Sequence, residues 1–316
     1  MRDLLVGQAS FPSLDIGGWI AELVAFLGDN LGFLFRFIRT VVGSLADWIE
    51  TALTAPPDWV MVAVLTLVAL LARGWRFALF TAAAFSLIGS MGRFEETMDT
   101  LALVLVAVLI SVAIGTPLGV LAARSDRFSS LIRPALDFMQ TMPAFIYLLL
   151  AVVFFRIGVV PGVMASVIFA MPPAVRLTEL GIRQVDREVV EAAEAFGARP
   201  REVLFGVQLP LARPSIMAGV NQVIMLTLSM VVIAGMAGAG GLGETVVSGV
   251  MRLNVGLGVE GGLAVVILAI FLDRVTAVFG TRRRRTGRRQ LAADQESRTL
   301  AGLRSVFRVG LGGRPQ

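Results

Sequence analysis

The side chains that most often carry chemistry are missing from this sequence. It contains no His, no Cys and no Lys. Without Cys there is no thiol nucleophile, disulfide or thiolate metal site. Without His there is no imidazole base and no His-ligated zinc. Without Lys there is no Walker A phosphate loop, which needs a Gly-Lys pair, so this chain is not expected to hydrolyse ATP. What remains is arginine, carboxylate and a few polar residues inside apolar stretches: Gln140, Thr141, Asn221, Gln222, Thr227 and Ser229. Polar groups inside a membrane span are costly, and they mark either a transport path or an interhelical hydrogen bond. Both readings stand for each of them. Asn221 and Gln222 adjoin, so on a helix they face different directions and at most one lines a path. Pro143 is either a helix break that frees carbonyls toward a cavity or a simple kink. Tyr147 is the only tyrosine. With Phe138 or Phe145 it offers an aromatic face to a quaternary ammonium group.

A second group lies in residues 176–214, the longest polar stretch between apolar runs. It reads as two short helices. The first runs from Asp186 to Phe196 and is ended by Gly197, as Gly commonly ends helices. The second opens near Arg199-Pro200, with Pro suited to a first turn, and ends before Pro210. Val189, Ala192, Ala193 and Phe196 form a small apolar face, with Glu188, Glu191 and Glu194 beside or opposite it. By periodicity alone this is either a solvated surface hairpin or a surface shaped for a partner.

The elements that hold these groups are membrane spans. The 316 residues are 56% hydrophobic and 16% charged, with a mean hydropathy of +0.80. Seven apolar segments approach the ~20 residues that a spanning helix needs: 57–72, 77–92, 100–123, 135–155, 157–175, 215–237 and 261–279. The first two are short and read as tilted hairpin partners. With the N-terminus outside, the inner loops hold eleven arginines and the outer loops three. Basic residues mark cytoplasmic loops, so an N-out, C-in topology is expected. Ahead of the spans, Leu31, Leu34, Phe35, Ile38, Val41, Val42, Leu45, Trp48 and Ile49 define an amphipathic helix over 29–53, with Asp29 or Asn30 able to cap it. It lies either in the membrane interface or against the bundle. The four tryptophans, Trp19, Trp48, Trp59 and Trp75, fall at span edges or on this helix, as headgroup-level residues do. Gly pairs at 115/119, 158/162 and 258/262 read as close helix contacts. The first 15 residues include Arg2, Asp3 and Asp15 and no apolar run, so no signal peptide is expected. Arg282 to Arg285 follow the last span and read as a basic cytoplasmic anchor able to touch anionic lipid, not as a nucleic-acid site.

The loop spacing carries a resemblance. Glu191-Ala192-Ala193, then Gly197, then Val207, then Leu209-Pro210 resembles the EAA loop of binding-protein-dependent ABC importer permeases, with Val207 in place of Ile. MQTMPAFIYL from Met139, FAMPPAVRLTELGIRQV from Phe169, QLPLARPSIMAGVNQVIMLTLSMVVIA from Gln208, and GGLG from Gly240 are similar to the glycine betaine/proline betaine permeases of the ProW type. The likeness covers residues ~95–280. It implies an all-α polytopic protein of about seven transmembrane helices, a MetI-like permease core with an N-terminal amphipathic interfacial helix. The implied division is an N-terminal region over 1–56, two accessory transmembrane helices over 57–92, the core over 93–280 with its EAA loop at 186–210, and a basic tail over 281–316. Glu191, Ala192, Ala193, Gly197, Val207, Leu209 and Pro210 would couple to an ABC ATPase subunit. Gln140, Thr141, Pro143, Tyr147, Asn221, Gln222 and Ser229 are candidates for the translocation path. The chain itself would be non-catalytic and hold no cofactor or metal, ATP and Mg being bound by the partner. An extracytoplasmic substrate-binding protein, a homodimer of permeases and membrane lipid complete the implied partners, in the inner membrane. The substrate would be glycine betaine, proline betaine or a related osmolyte. Choline, an amino acid such as methionine, or a phosphonate are the alternatives with the same architecture. A membrane enzyme or secondary carrier is disfavoured by the absence of His, Cys, paired mid-span acids and a visible inverted repeat.

Overall fold

Helices form every regular element among the described residues, 15–281, of this computed structural model. The basic tail and its anchoring role lie outside the described residues. Two N-terminal helices come first. In α1 (Ile16–Asn30) the Asp15 carboxylate accepts the Gly18 N–H at 2.8 Å and caps the start. After Leu31 the chain turns by 75° into α2 (Gly32–Thr54). The amphipathic helix therefore starts later than expected, and neither Asp29 nor Asn30 caps it. The Asn30 amide is already spent, donating to the Phe26 carbonyl at the end of α1. α2 packs on the bundle by one face and leaves the other exposed. Val42 and Ala46 are buried on the bundle and Phe35 stacks on Phe154 at 4.4 Å, whereas Phe33, Phe37 and Trp48 point away from the protein.

The apolar helices follow. α3 (Asp58–Arg73) and α4 (Trp75–Ser90) form a hairpin through Gly74. Each has 16 residues, about 24 Å of helix, which is short for a bilayer core of ~30 Å. α5 (Phe94–Arg124) is a long span. The single span expected over 135–155 is instead two helices, α6 (Asp126–Thr141) and α7 (Ala144–Phe155), set at 99° to each other. Pro143 breaks the chain outright. The residue before a proline avoids the helical region, and Met142 is accordingly extended at ψ 138. α8 (Val159–Arg183) returns across the bundle, and α9 (Arg187–Ala195) follows as a short surface helix.

α10 (Pro200–Val203), a π turn over Leu204–Gln208 and α11 (Leu209–Ala234) run on without interruption, closed by a 3₁₀ turn over Gly235–Ala237. The second loop helix thus does not end before Pro210. The wide π turn falls just where a proline ring would clash with the carbonyl one turn back. α12 (Gly241–Met251) is a short helix between the expected spans 215–237 and 261–279. The Thr100 hydroxyl ties it to α5 by accepting the Leu242 N–H at 2.8 Å. α13 (Val255–Thr281) is the last span.

Among the described residues four helices are long and apolar enough to cross a bilayer, and six if each bent pair is counted as one span. α3 and α4, at 16 residues each, fall below that length.

The core sits around α8, whose most extensive contacts are with α5 and α11. Of the three Gly pairs only the first is a joint packing contact. A Cβ on Gly115 would meet Ala174 at 2.8 Å, and one on Gly119 would meet the Val175 carbonyl at 2.5 Å. Gly158 and Gly262 have open space around them. Hence Gly119→Val is expected to destabilise the fold by about 1–3 kcal/mol through overpacking. Gly89→Ala, at an open helical position, should leave stability equal or slightly higher. Thermal unfolding of the purified protein in detergent distinguishes the two.

Candidate functional site

The loop helix α9 owes its shape to local signals. The Asp186 side chain accepts the Glu188 N–H at 3.0 Å and caps the start. At the other end Ala198 N–H donates to the Ala193 carbonyl at 3.1 Å, and Gly197 N–H to the Glu194 carbonyl at 2.8 Å. That pair is a Schellman closure, and it requires the left-handed backbone of Gly197, φ +85°. A side chain there would be strained although nothing crowds the position. On the far side, Arg199 N–H donates to the Glu202 carboxylate at 2.7 Å, starting α10.

The loop is rooted by α10. Val203 and Leu204 are buried, and Leu204 packs with Ile182 of α8 and Ala212 of α11, with Val120, Ala123 and Leu209 around them. Leu209 and Val207 are half-buried, while Pro210 is exposed. α9 itself has no buried residue. Val189 is 44% and Phe196 93% exposed, Ala192 is open and Ala193 half-covered. Glu191 is exposed, with no ion pair among the described residues. A rigidly capped helix therefore presents an apolar face that none of the described residues covers.

The structure divides the polar candidates among three places. Gln140, Thr141 and Pro143 are exposed at the α6–α7 break, flanked by exposed Phe138 and Phe145. Gln222 and Ser229 are exposed along one face of α11 with Met225 between them. Asn221 faces the other way, its side-chain oxygen buried and unpartnered, as is that of Thr227. Tyr147 is buried. Its ring lies 6.2 Å from that of Phe169, and its hydroxyl donates to the Phe138 carbonyl at 3.4 Å. That carbonyl also accepts from Met142 N–H and the Thr141 hydroxyl. Tyr147 thereby staples α7 to the last turn of α6.

A charge network between α6 and α8 escaped the sequence reading. Glu179, the one charged side chain buried among the described residues, accepts from Ser129 Oγ at 2.7 Å, Arg183 Nε at 3.0 Å and Arg133 at 3.2 Å. Arg183 also reaches Asp126 at 2.7 Å and the Ala122 carbonyl at 2.8 Å, and Arg176 pairs with Asp137. Arg176, Glu179 and Arg183 share one face of α8. Asp126, Ser129, Arg133 and Asp137 share one face of α6. Those complementary spacings are the signal that could have found the pairing. A cavity of about 330 Å³ lies among them. The network clamps α6 to the end of α8 from which α9 hangs.

Residues 115–285 match the family model for the binding-protein-dependent transport system inner membrane component. The chain belongs to this family. The permease is 46% identical to the glycine betaine/proline betaine transport system permease protein ProW of Escherichia coli, strain K12, over 88% of this chain and 78% of that protein. It is 57% identical to the glycine betaine transport system permease protein OpuAB of Bacillus subtilis, strain 168, over 63% of this chain and 71% of that one. In fold it is similar to a chain of the inward-facing MetNI methionine ABC transporter, with a TM-score of 0.51 at 23% identity, over 57% of the permease and 92% of that chain. The permease is accordingly an all-helical, multi-pass inner-membrane protein with a MetI-like core.

The clamp makes a stability prediction. Glu179→Ala leaves two guanidinium groups facing each other without their shared carboxylate. It should cost about 1–3 kcal/mol, below the range for a fully buried pair because water reaches both arginines. Glu179→Gln, which keeps an acceptor oxygen, should cost less. Denaturation of the purified permease checks the order.

Proposed function

We propose that this permease is the non-catalytic membrane subunit of an ABC importer that brings glycine betaine, proline betaine or a related quaternary ammonium osmolyte into the cell. The relatives named for glycine betaine and proline betaine support that substrate class, and no named relative reported above supports a phosphonate. The likeness to the methionine transporter extends to fold alone. The observation that carries the mechanism is α9: a helix capped at both ends, with the EAA spacing around it and an uncovered apolar face.

A separate ATPase subunit binds ATP and Mg and seats α9 in a groove, as amphipathic helices dock into grooves. The small side chains of Ala192 and Ala193 permit close approach, and exposed Glu191 offers a charge to the partner. Two permease copies pair, and an extracytoplasmic binding protein delivers the substrate. Closure of the ATPase pair draws the two α9 helices together. Because α10 is buried at its root and α6 is clamped to α8, the bundle follows as a rigid body. The N-terminus lies outside and the C-terminus inside. That orientation puts α9 in the cytoplasm, with Arg124, Arg183 and the other inner-loop arginines. Exposed Phe138 and Phe145 at the α6–α7 break, with Gln140, Thr141, Gln222 and Ser229, form the substrate path. There the aromatic faces suit a quaternary ammonium cation.

The test is uptake of labelled glycine betaine, choline and proline in cells co-expressing the permease with its neighbouring ATPase and binding protein. Saturable, ATP-dependent glycine betaine uptake is expected, and its absence with all three proteins present would refute the assignment. Gly197→Asp, which strains the cap and places a charge beside the docking face, is expected to abolish uptake while the permease remains folded. Normal transport by that variant with its ATPase attached would exclude α9 as the coupling helix.

A further inference from the structure

The bend between α1 and α2 encloses a cavity of about 790 Å³ against α7, at the end of the bundle remote from α9. The separation follows from the chain path: α7 ends at Arg156, where α8 begins, and α9 hangs from the opposite end of α8. Ile20 and Val24 of α1 and Leu150 and Val153 of α7 give the cavity apolar walls.

Three cations line the same cavity: Arg36 and Arg39 from α2, and Arg156. All three are exposed, and none forms an ion pair among the described residues. Asp29 is the single carboxylate in the lining, so the lining is net positive. Arg156 is also held at φ +65°, a left-handed conformation that a non-glycine residue adopts only when its surroundings impose it.

The outside of the elbow is apolar. Trp19, Phe26, Phe33 and Phe37 are each more than half exposed. Surface of this kind on amphipathic helices lies in the headgroup and acyl boundary of a bilayer. The cavity therefore opens where lipid is the surrounding medium, with hydrocarbon walls and unpaired guanidinium groups at one site.

We propose that this cavity binds one anionic phospholipid. An acyl chain fills the apolar part between α1 and α7. The phosphate is held by Arg36, Arg39 and Arg156, whose planar donor forks match phosphate oxygens. Such a lipid packs the N-terminal elbow onto α7, one helix away from the break at Pro143. The charge pattern selects against a zwitterionic lipid, whose headgroup carries its own cation and gains less from three arginines.

The test uses the full-length permease purified in detergent, given equal amounts of dioleoyl phosphatidylglycerol and dioleoyl phosphatidylcholine and read by native mass spectrometry. One phosphatidylglycerol per protomer should be retained in preference to phosphatidylcholine. Each basic residue at a membrane surface is worth roughly fivefold in affinity. The triple variant R36Q/R39Q/R156Q should therefore lose that preference by on the order of tenfold to a hundredfold. The triple variant R36K/R39K/R156K keeps the charges and should retain a clear preference, which separates loss of the site from loss of fold. Equal retention of the two lipids by the unaltered permease overturns the proposal. So does undiminished phosphatidylglycerol binding by the glutamine variant, or parity of the two lipids in the lysine variant.

Discussion

Inside a bilayer, helices gain nothing by hiding apolar side chains from one another, because the surrounding lipid is equally apolar. What holds them together is close approach of backbones. In this permease that constraint is met around α8. Gly115 and Gly119 of α5 admit the backbone of α8 at Ala174, Val175 and Thr178, and Gly219 of α11 admits it at Pro173 and Leu177. A bundle packed this way is stiff, since no methyl group can be added at those contacts without displacing main chain. The other helices take their places from α8. α2 and α7 lie against it directly, while α12 and α13 pack on α11.

Electrostatics then joins the polar ends to that frame. Glu179 sits on α8 and is largely withdrawn from water. A lone buried carboxylate is expensive, but this one is shared by Ser129, Arg133 and Arg183. The cost of burial becomes a reason for α6 to stay where it is, because leaving would strip the carboxylate of two of its partners. The tie matters because α6 would otherwise have only its amphipathic face to hold it, and it ends in a proline break. The break is bridged by its own tyrosine: Tyr147 returns from α7 to the Phe138 carbonyl in the last turn of α6. At the same end of α8, the buried root of α10 and the Schellman closure at Gly197 hold α9 as a fixed projection.

Two surfaces are left without partners among the described residues, and they lie at opposite ends. At one, α9 exposes Val189, Ala192 and Phe196. At the other, the α1–α2 elbow exposes Trp19, Phe26, Phe33 and Phe37 around a cavity lined by Arg36, Arg39 and Arg156. The chemistry of the two differs. The first is small and flanked by carboxylates, fit for a protein groove. The second is aromatic and flanked by arginines, fit for lipid. Between them runs a bundle whose core is apolar, so the two ends communicate only through the disposition of helices.

Much of this was legible in the residues. Absent His, Cys and Lys excluded imidazole, thiol and lysine chemistry, hydropathy exposed the long spans α5, α8, α11 and α13, and local signals at Asp186 and Gly197 marked the ends of α9 nearly to the residue. These features depend on near neighbours in the chain: hydrogen bonds within a turn, a required backbone angle, or the net transfer of a segment into lipid. The features that were missed depend on distant ones. The 135–155 segment is apolar enough for a span and Pro143 allowed either a break or a kink, and the structure sets its first part at 99° to the rest. Only Arg183 is a local partner of Glu179, four residues on, while Ser129 and Arg133 come from 50 and 46 residues away. Tyr147 offered an aromatic face by type, but its burial and its bond to Phe138 turn that face inward. Asn221 and Gln222 were known to diverge, yet only the placement of α11 against α8 decided which of them is exposed. Sequence determined what each segment is and where it must bend. Tertiary structure alone decided which side chains meet, because a charge, a close contact or an open face is defined by what stands opposite it.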